Sequence, residues 1–117
     1  MTSSNVWREE TDQAVGLVVA RGRLDHNSVP QLESTLRECL AAGEIHLVVD
    51  LSQVTYVNSG GLRALVTAWR AARKGGGDLA LAGLTTRLRE IFQIVGFDRI
   101  FAVYPTPAEA VRAMTES

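Results

Sequence analysis

The chain begins with a hydrophobic pattern typical of short β-strands. Val15–Ala20 is an apolar run rich in β-branched residues, which predicts a strand. Val6–Glu10 is predicted to be its antiparallel partner, joined to it by a turn at Thr11–Gln13. Gly22 is predicted to end the second strand.

Helical periodicity then appears in two segments. The first helix is predicted over residues 28–42, with Ser28 as N-cap and Gly43 after its end. The second is predicted to begin at Asn58–Gly61 and to end at Gly75–Gly77. The apolar positions that predict these helices are Leu32, Leu36, Cys39 and Leu40 in the first, and Leu62, Leu65, Val66 and Trp69 in the second.

The C-terminal half continues the alternation of strands and helices. A third helix, capped by Thr85 or Thr86, is predicted to end at Gly96 and to bury Leu88, Ile91, Phe92 and Val95. In the terminal helix, Thr106 is predicted to be the N-cap, Pro107 the first helical residue and Glu109 the third. Three further strands are predicted at Ile45–Leu51, Leu79–Ala82 and Ile100–Tyr104.

This order of elements predicts an α/β fold with a central sheet of about five strands and four helices. Alternating strands and helices favour parallel pairing with right-handed crossovers, and the leading hairpin makes the sheet mixed. The length of 117 residues suits a single domain over residues 1–117, with a core over roughly residues 6–115.

Composition and charge narrow the class of protein. The net charge of −1 offers no basic excess for binding nucleic acid or an anionic membrane. The first five residues do not resemble a signal peptide, and no apolar run approaches the length needed to cross a bilayer. A single cysteine rules out an internal disulfide. We therefore expect a cytoplasmic, soluble protein without membrane insertion.

Metal, cofactor and catalytic sites are not predicted. His26 and His46 have no nearby residues at ligand spacing, so each is interpreted as a hydrogen-bonded or solvated imidazole. Cys39 lies on an apolar helix face and is interpreted as a small buried hydrophobic residue. Lys74–Gly77 lacks the Gly-Lys-Ser/Thr ending of a phosphate loop, and Ser59 lacks the Gly-x-Ser-x-Gly context of a nucleophile. The protein is predicted not to be an enzyme and to hold no cofactor.

The segment from Asp50 to Leu62 carries the remaining functional signal. A buried strand is predicted to pass through a short loop into a helix that begins Ser59-Gly60-Gly61. Unpaired N–H groups and partial positive charge at such a helix start suit a phosphate, and a phosphate on Ser59 would add about −1.5 to −2 charges. From these residues alone, the simpler interpretation is that Asn58 or Ser59 is an N-cap.

Three segments resemble the STAS family, the domain of bacterial anti-sigma factor antagonists and of sulfate-transporter tails. Asp50-Leu51-Ser52 followed by Asn58-Ser59-Gly60-Gly61-Leu62 resembles its Asp-Leu-Ser…Asp-Ser-Ser/Thr/Ala-Gly-Leu signature. Gly22-Arg23-Leu24-Asp25 and Phe92–Phe97 resemble two further family segments.

The resemblance implies an antagonist that binds an anti-sigma factor kinase when unphosphorylated. Ser59 then corresponds to the residue that the kinase phosphorylates and a phosphatase resets. Asn58 occupies the position where the family signature has Asp. Asp25 is interpreted equally as part of the docking surface or as a turn residue. The alternative is a STAS scaffold in a transporter or signalling assembly that is not phosphorylated; the oligomeric state stays open. The partner-binding residues implied are Asp25, Asn58, Ser59, Gly60, Gly61 and Arg63.

Overall fold

A computed structural model describes residues 5–11 and 14–116. The strands are β1 (Val6–Glu9), β2 (Gly16–Leu24), β3 (His46–Val57), β4 (Asp78–Ala82) and β5 (Ala102–Tyr104). The helices are α1 (Val29–Ala41), α2 (Ser59–Lys74), α3 (Thr86–Ile94) and α4 (Pro107–Glu116), with a 3₁₀ turn at Phe97–Arg99. The α/β fold with a mixed five-stranded sheet and four helices is confirmed.

The strands follow one another across the sheet in chain order. β1 pairs antiparallel with β2, and the pairs β2–β3, β3–β4 and β4–β5 are parallel. Of the predicted turn between β1 and β2, Asp12 and Gln13 lie outside the described residues.

The two faces of the sheet are covered unequally. Helices α1, α2 and α3 pack against one face and form the larger apolar core, which includes Leu36, Leu65 and Phe92. Helix α4 packs against the other face through Ala110 and Met114. The crossover helices therefore lie mainly on one side, and α1 and α2 are neighbours there.

Two strands run further than their sequence predicts. β2 continues through Gly22, whose φ is +72°, and β3 continues six residues beyond the predicted end at Leu51. Past Asp50, β3 pairs only with β2, because β4 ends opposite Asp50 at Ala82. This two-stranded extension leaves only Val54 fully buried between Ser52 and Val57, so the hydrophobic pattern there is too weak to predict a strand.

Several helix predictions also change. In α2, only Leu65 of the four predicted apolar residues is fully buried; Leu62, Val66 and Trp69 are half-buried. Small residues complete the buried face of this helix: Gly61, Ala64, Ala68 and Ala72. The prediction that Val95 is buried was wrong, because α3 ends at Ile94 and leaves Val95 46% exposed.

At the chain end, β5 begins at Ala102 rather than Ile100, because Phe97–Arg99 form the 3₁₀ turn. The predicted α4 cap is confirmed, since Thr106 Oγ1 accepts a hydrogen bond from the Glu109 N–H at 3.2 Å.

Candidate functional site

The strand extension brings the β2–α1 and β3–α2 connections together. Leu24 and Val57 are register partners at the ends of β2 and β3. The Asn58 N–H donates a 2.9 Å hydrogen bond to the Leu24 carbonyl oxygen, which holds the start of α2 beside the loop that leads into α1. Asp25 and Ser59 thus lie at the same end of the sheet although 34 positions separate them in sequence.

Asn58 is the N-cap of α2. Its backbone is extended (φ −85°, ψ 177°), and its side-chain Oδ1 accepts a 2.8 Å hydrogen bond from the Gly61 N–H. The first intrahelical bond joins the Leu62 N–H to the Asn58 carbonyl oxygen. The N–H groups of Ser59 and Gly60 lie in the first turn, where a helix supplies no backbone acceptor. The cap that the sequence left open between Asn58 and Ser59 is therefore Asn58.

The two glycines of α2 have different structural reasons. A Cβ on Gly61 would lie 2.8 Å from Val57 Cγ1, so packing requires glycine there. A Cβ on Gly60 would meet Asn58 Oδ1 at 3.3 Å and Val29 no closer than 3.7 Å, a contact that small adjustments relieve. The close packing explains Gly61, whereas Gly60 leaves an open surface at the helix start.

Ser59 is exposed at the first position of α2, and Arg63 is exposed one turn later. Helical side chains lean toward the N-terminus, and residues four apart share a face. By this periodicity, Arg63 and Ser59 share one face of α2. The first turn of α2 contains no acidic residue.

Asp25 organises the loop between β2 and α1. Its Oδ1 accepts a hydrogen bond from the Asn27 N–H at 3.0 Å, and its carbonyl oxygen accepts from the Ser28 and Val29 N–H groups. Its Oδ2 lies 3.9 Å from Arg23 Nε. The structure thus gives Asp25 a turn role, and its side chain is still 27% exposed.

Ser28 precedes α1, as predicted, but its side chain does not cap the helix. Its hydroxyl instead donates to the Arg23 carbonyl oxygen at 2.6 Å and accepts from the Asp25 N–H at 3.0 Å. The buried hydroxyl therefore fixes the loop that carries Asp25 rather than the helix end.

A groove runs between α1 and α2 from this site. Its first part has a volume of about 300 Å³ and includes His26, Gly60 and Arg63 in its lining. Its second part has a volume of about 170 Å³ and is lined largely by the apolar side chains of Leu36, Leu40, Ala64, Ala68 and Ala71. The sequence did not predict this groove, because the small residues of α2 that open it do not stand out from an ordinary helix face.

Chemistry-bearing side chains elsewhere are dispersed. Within residues 5–11 and 14–116, no three His, Cys, Asp or Glu residues are grouped as metal ligands. Cys39 is fully buried as predicted, and burial raises the pKa of its thiol to about 11, which disfavours the nucleophilic thiolate. Among the described residues, nothing forms a hydrogen bond with the buried Nδ1 of His46, so the interpretation as a hydrogen-bonded or solvated imidazole was wrong for that nitrogen; His26 is exposed.

One exposed feature of the strand extension was missed by sequence reasoning. The Arg23 guanidinium lies over the Tyr56 ring, 4.2 Å from its centroid, and Tyr56 is 39% exposed. The two residues are register partners on β2 and β3. The sequence predicts that β3 ends at Leu51. A loop over residues 52–57 would not place Tyr56 beside Arg23, so this contact was not predicted.

Comparisons with known proteins agree with this architecture. The STAS domain family matches residues 7–110, so the chain belongs to the STAS domain family. Among the described residues, no helix is both long enough and apolar enough to cross a membrane.

Relatives and a solved structure place the chain further within the family. It is 31% identical over 101 residues to the anti-sigma-B factor antagonist of Listeria monocytogenes, covering 86% of this chain and 87% of that protein. It is 30% identical over 82 residues to the anti-sigma-B factor antagonist of Staphylococcus aureus, covering 70% and 76%. The crystal structure of an anti-sigma factor antagonist from Mycobacterium paratuberculosis superposes with a TM-score of 0.83 at 28% identity, covering 93% and 92%. The chain is thus similar in sequence and in fold to anti-sigma factor antagonists.

Proposed function

We propose that this protein is an anti-sigma factor antagonist whose binding is switched by phosphorylation of Ser59. When Ser59 is unmodified, the protein binds an anti-sigma factor that is also a kinase. Phosphorylation of Ser59 releases that partner, and a phosphatase restores the binding form. The protein acts in the cytoplasm as a binding protein and not as an enzyme.

The observation that carries this proposal is the exposed hydroxyl at the open start of α2. Ser59 occupies the first helical position, and Asn58 Oδ1 accepts the hydrogen bond from the Gly61 N–H. A kinase can reach the exposed side chain without unfolding the helix. The N–H groups of the first turn and the helix dipole would then stabilise the added phosphate, by about 0.3–1 kcal/mol for an exposed anion.

Charge around Ser59 favours a change in binding over a change in folding. Asn58 is neutral, and the first turn of α2 has no carboxylate to repel a phosphate. The fold therefore tolerates roughly two added negative charges, whereas a partner fitted to the neutral helix start is repelled or displaced by them. The departure from the family Asp at this position lowers the internal electrostatic cost of modification.

The proposed docking face surrounds Ser59. Gly61 is buried and contributes by allowing α2 to approach Val57 closely. Asp25 contributes the exposed part of its carboxylate while it holds its loop. The residues assigned to this face are Asp25, Asn58, Ser59, Gly60, Gly61 and Arg63.

Mass spectrometry of the intact protein tests the modification. The chain is incubated with ATP and each purified candidate anti-sigma factor kinase from its own organism, and a gain of one phosphate is expected. Ser59→Ala should abolish the gain. Thr86→Ala is the matched control, because Thr86 is an exposed hydroxyl residue at the first position of α3. Phosphate retained in Ser59→Ala would contradict the assignment.

Binding measurements with the same kinase test the switch. We expect Ser59→Ala to bind whether or not ATP is present, and Ser59→Asp to bind weakly. Equal affinity of the two variants would refute the switch and leave the fold assignment unaffected.

Asn58 motivates a second candidate, a STAS scaffold that binds its partner without phosphorylation. The neutral amide replaces the charged family residue at the position beside Ser59. A stable complex with a partner that never transfers phosphate to Ser59 would favour this scaffold.

A further inference from the structure

Positive charge is concentrated on helix α2. Residues Ser59–Lys74 contain four basic residues and no acidic one. The rest of the chain carries eight basic and thirteen acidic residues. The weak overall charge of −1 therefore conceals one cationic helix on an otherwise acidic protein.

Three of these cations lie along one line of α2. Arg63, Arg70 and Lys74 follow a spacing of seven and then four residues, which places them within about 40° of arc and over about 16 Å of helix. All three are exposed, and none forms an ion pair within the part of the chain that the structure describes. We call these three residues the α2 basic stripe. Arg73 lies on a different side of α2, where its Nη1 is 3.8 Å from Asp78 Oδ2.

The α1–α2 groove runs beside this stripe. Its two parts share Glu33, Ala64 and Thr67, so they form one continuous groove. The groove starts at Gly60 and Arg63, next to Ser59, and becomes apolar toward Leu40 and Ala71.

Helix α1 contributes one cation, Arg37, and one carboxylate, Glu33, to the lining. With the α2 basic stripe alongside, positive charge still exceeds negative charge around the apolar floor, which is complementary to an amphipathic segment with one apolar and one acidic side.

We propose that the α1–α2 groove binds an acidic amphipathic helix of the partner protein. The apolar side chains of that helix pack between Leu40 and Ala71, and its carboxylates pair with the α2 basic stripe. The inference rests on the proposed function for the identity of the partner as the anti-sigma factor, and it adds the chemistry by which that partner is recognised.

Both the shape and the charge of the protein favour a protein helix over other anionic partners. A concave groove fits a rod of side chains better than a flat bilayer surface. The acidic excess outside α2 repels the continuous negative charge of a membrane or a nucleic acid, whereas a single acidic helix meets only the stripe.

The stripe also links recognition to Ser59. Arg63 is its first member and is four residues from Ser59. A phosphate on Ser59 would compete with the partner's carboxylates for this arginine, because both anions approach the same face of the first turn. Release on phosphorylation then follows from competition for one cation.

A synthetic probe tests the groove independently of any kinase. The probe is an amphipathic helical peptide with leucines on one face and glutamates along its flank, and a scrambled peptide of the same composition is its control. In ¹H–¹⁵N spectra of the full chain, we expect the probe to shift α1 and α2 amides that border the groove, and the scrambled peptide to leave them in place.

Charge reversal tests the stripe. Arg63→Glu/Arg70→Glu should weaken binding of the probe by about tenfold, as expected for the loss of two partly exposed ion pairs. Arg89→Glu/Arg112→Glu makes the same change in net charge at exposed positions on α3 and α4 and should leave the affinity unchanged. Ala71→Trp, which fills the apolar part of the groove without changing charge, should also weaken binding. Thermal unfolding checks that all variants are folded.

Several results would overturn the inference. Equal binding of the probe and the scrambled peptide, equal affinity of the two double variants, or shifts outside α1 and α2 would each remove the groove as the site. Stripe-dependent binding to phosphatidylglycerol vesicles or duplex DNA, with no binding of the probe, would assign the stripe to a different partner class. If the kinase binds and phosphorylates Ser59 while the probe fails, only this inference falls. If the probe binds while Ser59 is never phosphorylated, only the proposed switch falls.

Discussion

Replacing Gly61 by alanine is expected to destabilise the protein, although alanine is the better helix former. The new Cβ would lie 2.8 Å from Val57 Cγ1, closer than two carbon atoms pack. Val57 is the last residue of β3, and its side chain is β-branched. Its methyl group therefore has little freedom to move away. The helix start must therefore shift away from the strand end.

The size of the effect follows from two opposing contributions. Alanine gains at most about 1 kcal/mol over glycine from helix propensity, and less in the first turn. Overpacking of a tight contact costs about 1–3 kcal/mol. We expect a net loss of about 1–2 kcal/mol, which lowers Tm by about 3–8 °C in a chain of this size.

Urea unfolding followed by tryptophan fluorescence measures this loss, since Trp7 and Trp69 are both half-buried. Gly60→Ala is the matched control: its Cβ meets only Asn58 Oδ1 closely, at 3.3 Å, so its stability should change by less than about 0.5 kcal/mol. Val57→Ala removes the obstructing methyl group. The double variant with Gly61→Ala should therefore recover about 1 kcal/mol relative to the sum of the single effects.

Equal stability of Gly61→Ala and Gly60→Ala would refute the packing explanation. Strict additivity of Gly61→Ala and Val57→Ala would refute it as well, because the proposed clash exists only when both side chains are present.

Substitutions at three further positions probe the same structure. Asn58→Ala should lower stability by about 1 kcal/mol through loss of the Gly61 N–H cap, and Asn58→Ser should retain most of it; equal urea midpoints for the two would contradict the cap. Thr106→Ala should likewise cost about 1 kcal/mol at α4, and an unchanged thermal midpoint would show that its hydrogen bond to Glu109 is dispensable. The raised pKa of Cys39 means that the folded state holds the thiol proton more tightly than the unfolded state. The stabilisation is therefore complete below about pH 9 and is lost as pH rises toward 11; Cys39→Ala should remove this part of the alkaline decline, and an identical pH profile would contradict it.

Structural features that are determined by neighbouring residues in the sequence could be predicted. The Thr106-Pro107-Ala108-Glu109 segment determines an N-cap by its own hydrogen bonding, and α4 begins where it predicts. The continuous apolar run at the start of β3 likewise predicts a buried strand, and Leu47, Val48 and Val49 are fully buried.

Features that depend on contacts distant in sequence could not be predicted. The second half of β3 is a strand only because β2 pairs with it, and its own residues carry one buried side chain in six. Asn and Ser are both favoured as N-cap residues, so residue type alone cannot choose between Asn58 and Ser59. The hydrogen bond from the Asn58 N–H to the Leu24 carbonyl oxygen fixes Asn58 just outside the helix. The α1–α2 groove depends on the alanines of α2 meeting α1, which a single-helix pattern does not reveal.

The extension of β2 and β3 determines where the candidate site lies relative to the core. Because β2 and β3 continue past β4, α2 begins beyond the main sheet, where its first turn is covered on one side by Val57 and open on the other. Gly61 makes that close contact possible, and the exposed Ser59 lies on the open side. A charge added at Ser59 therefore acts on the helix end and on Arg63 while the sheet and the core are unaffected. Under the proposed switch, this separation of Ser59 from the packing that stabilises the fold would allow binding to change without unfolding.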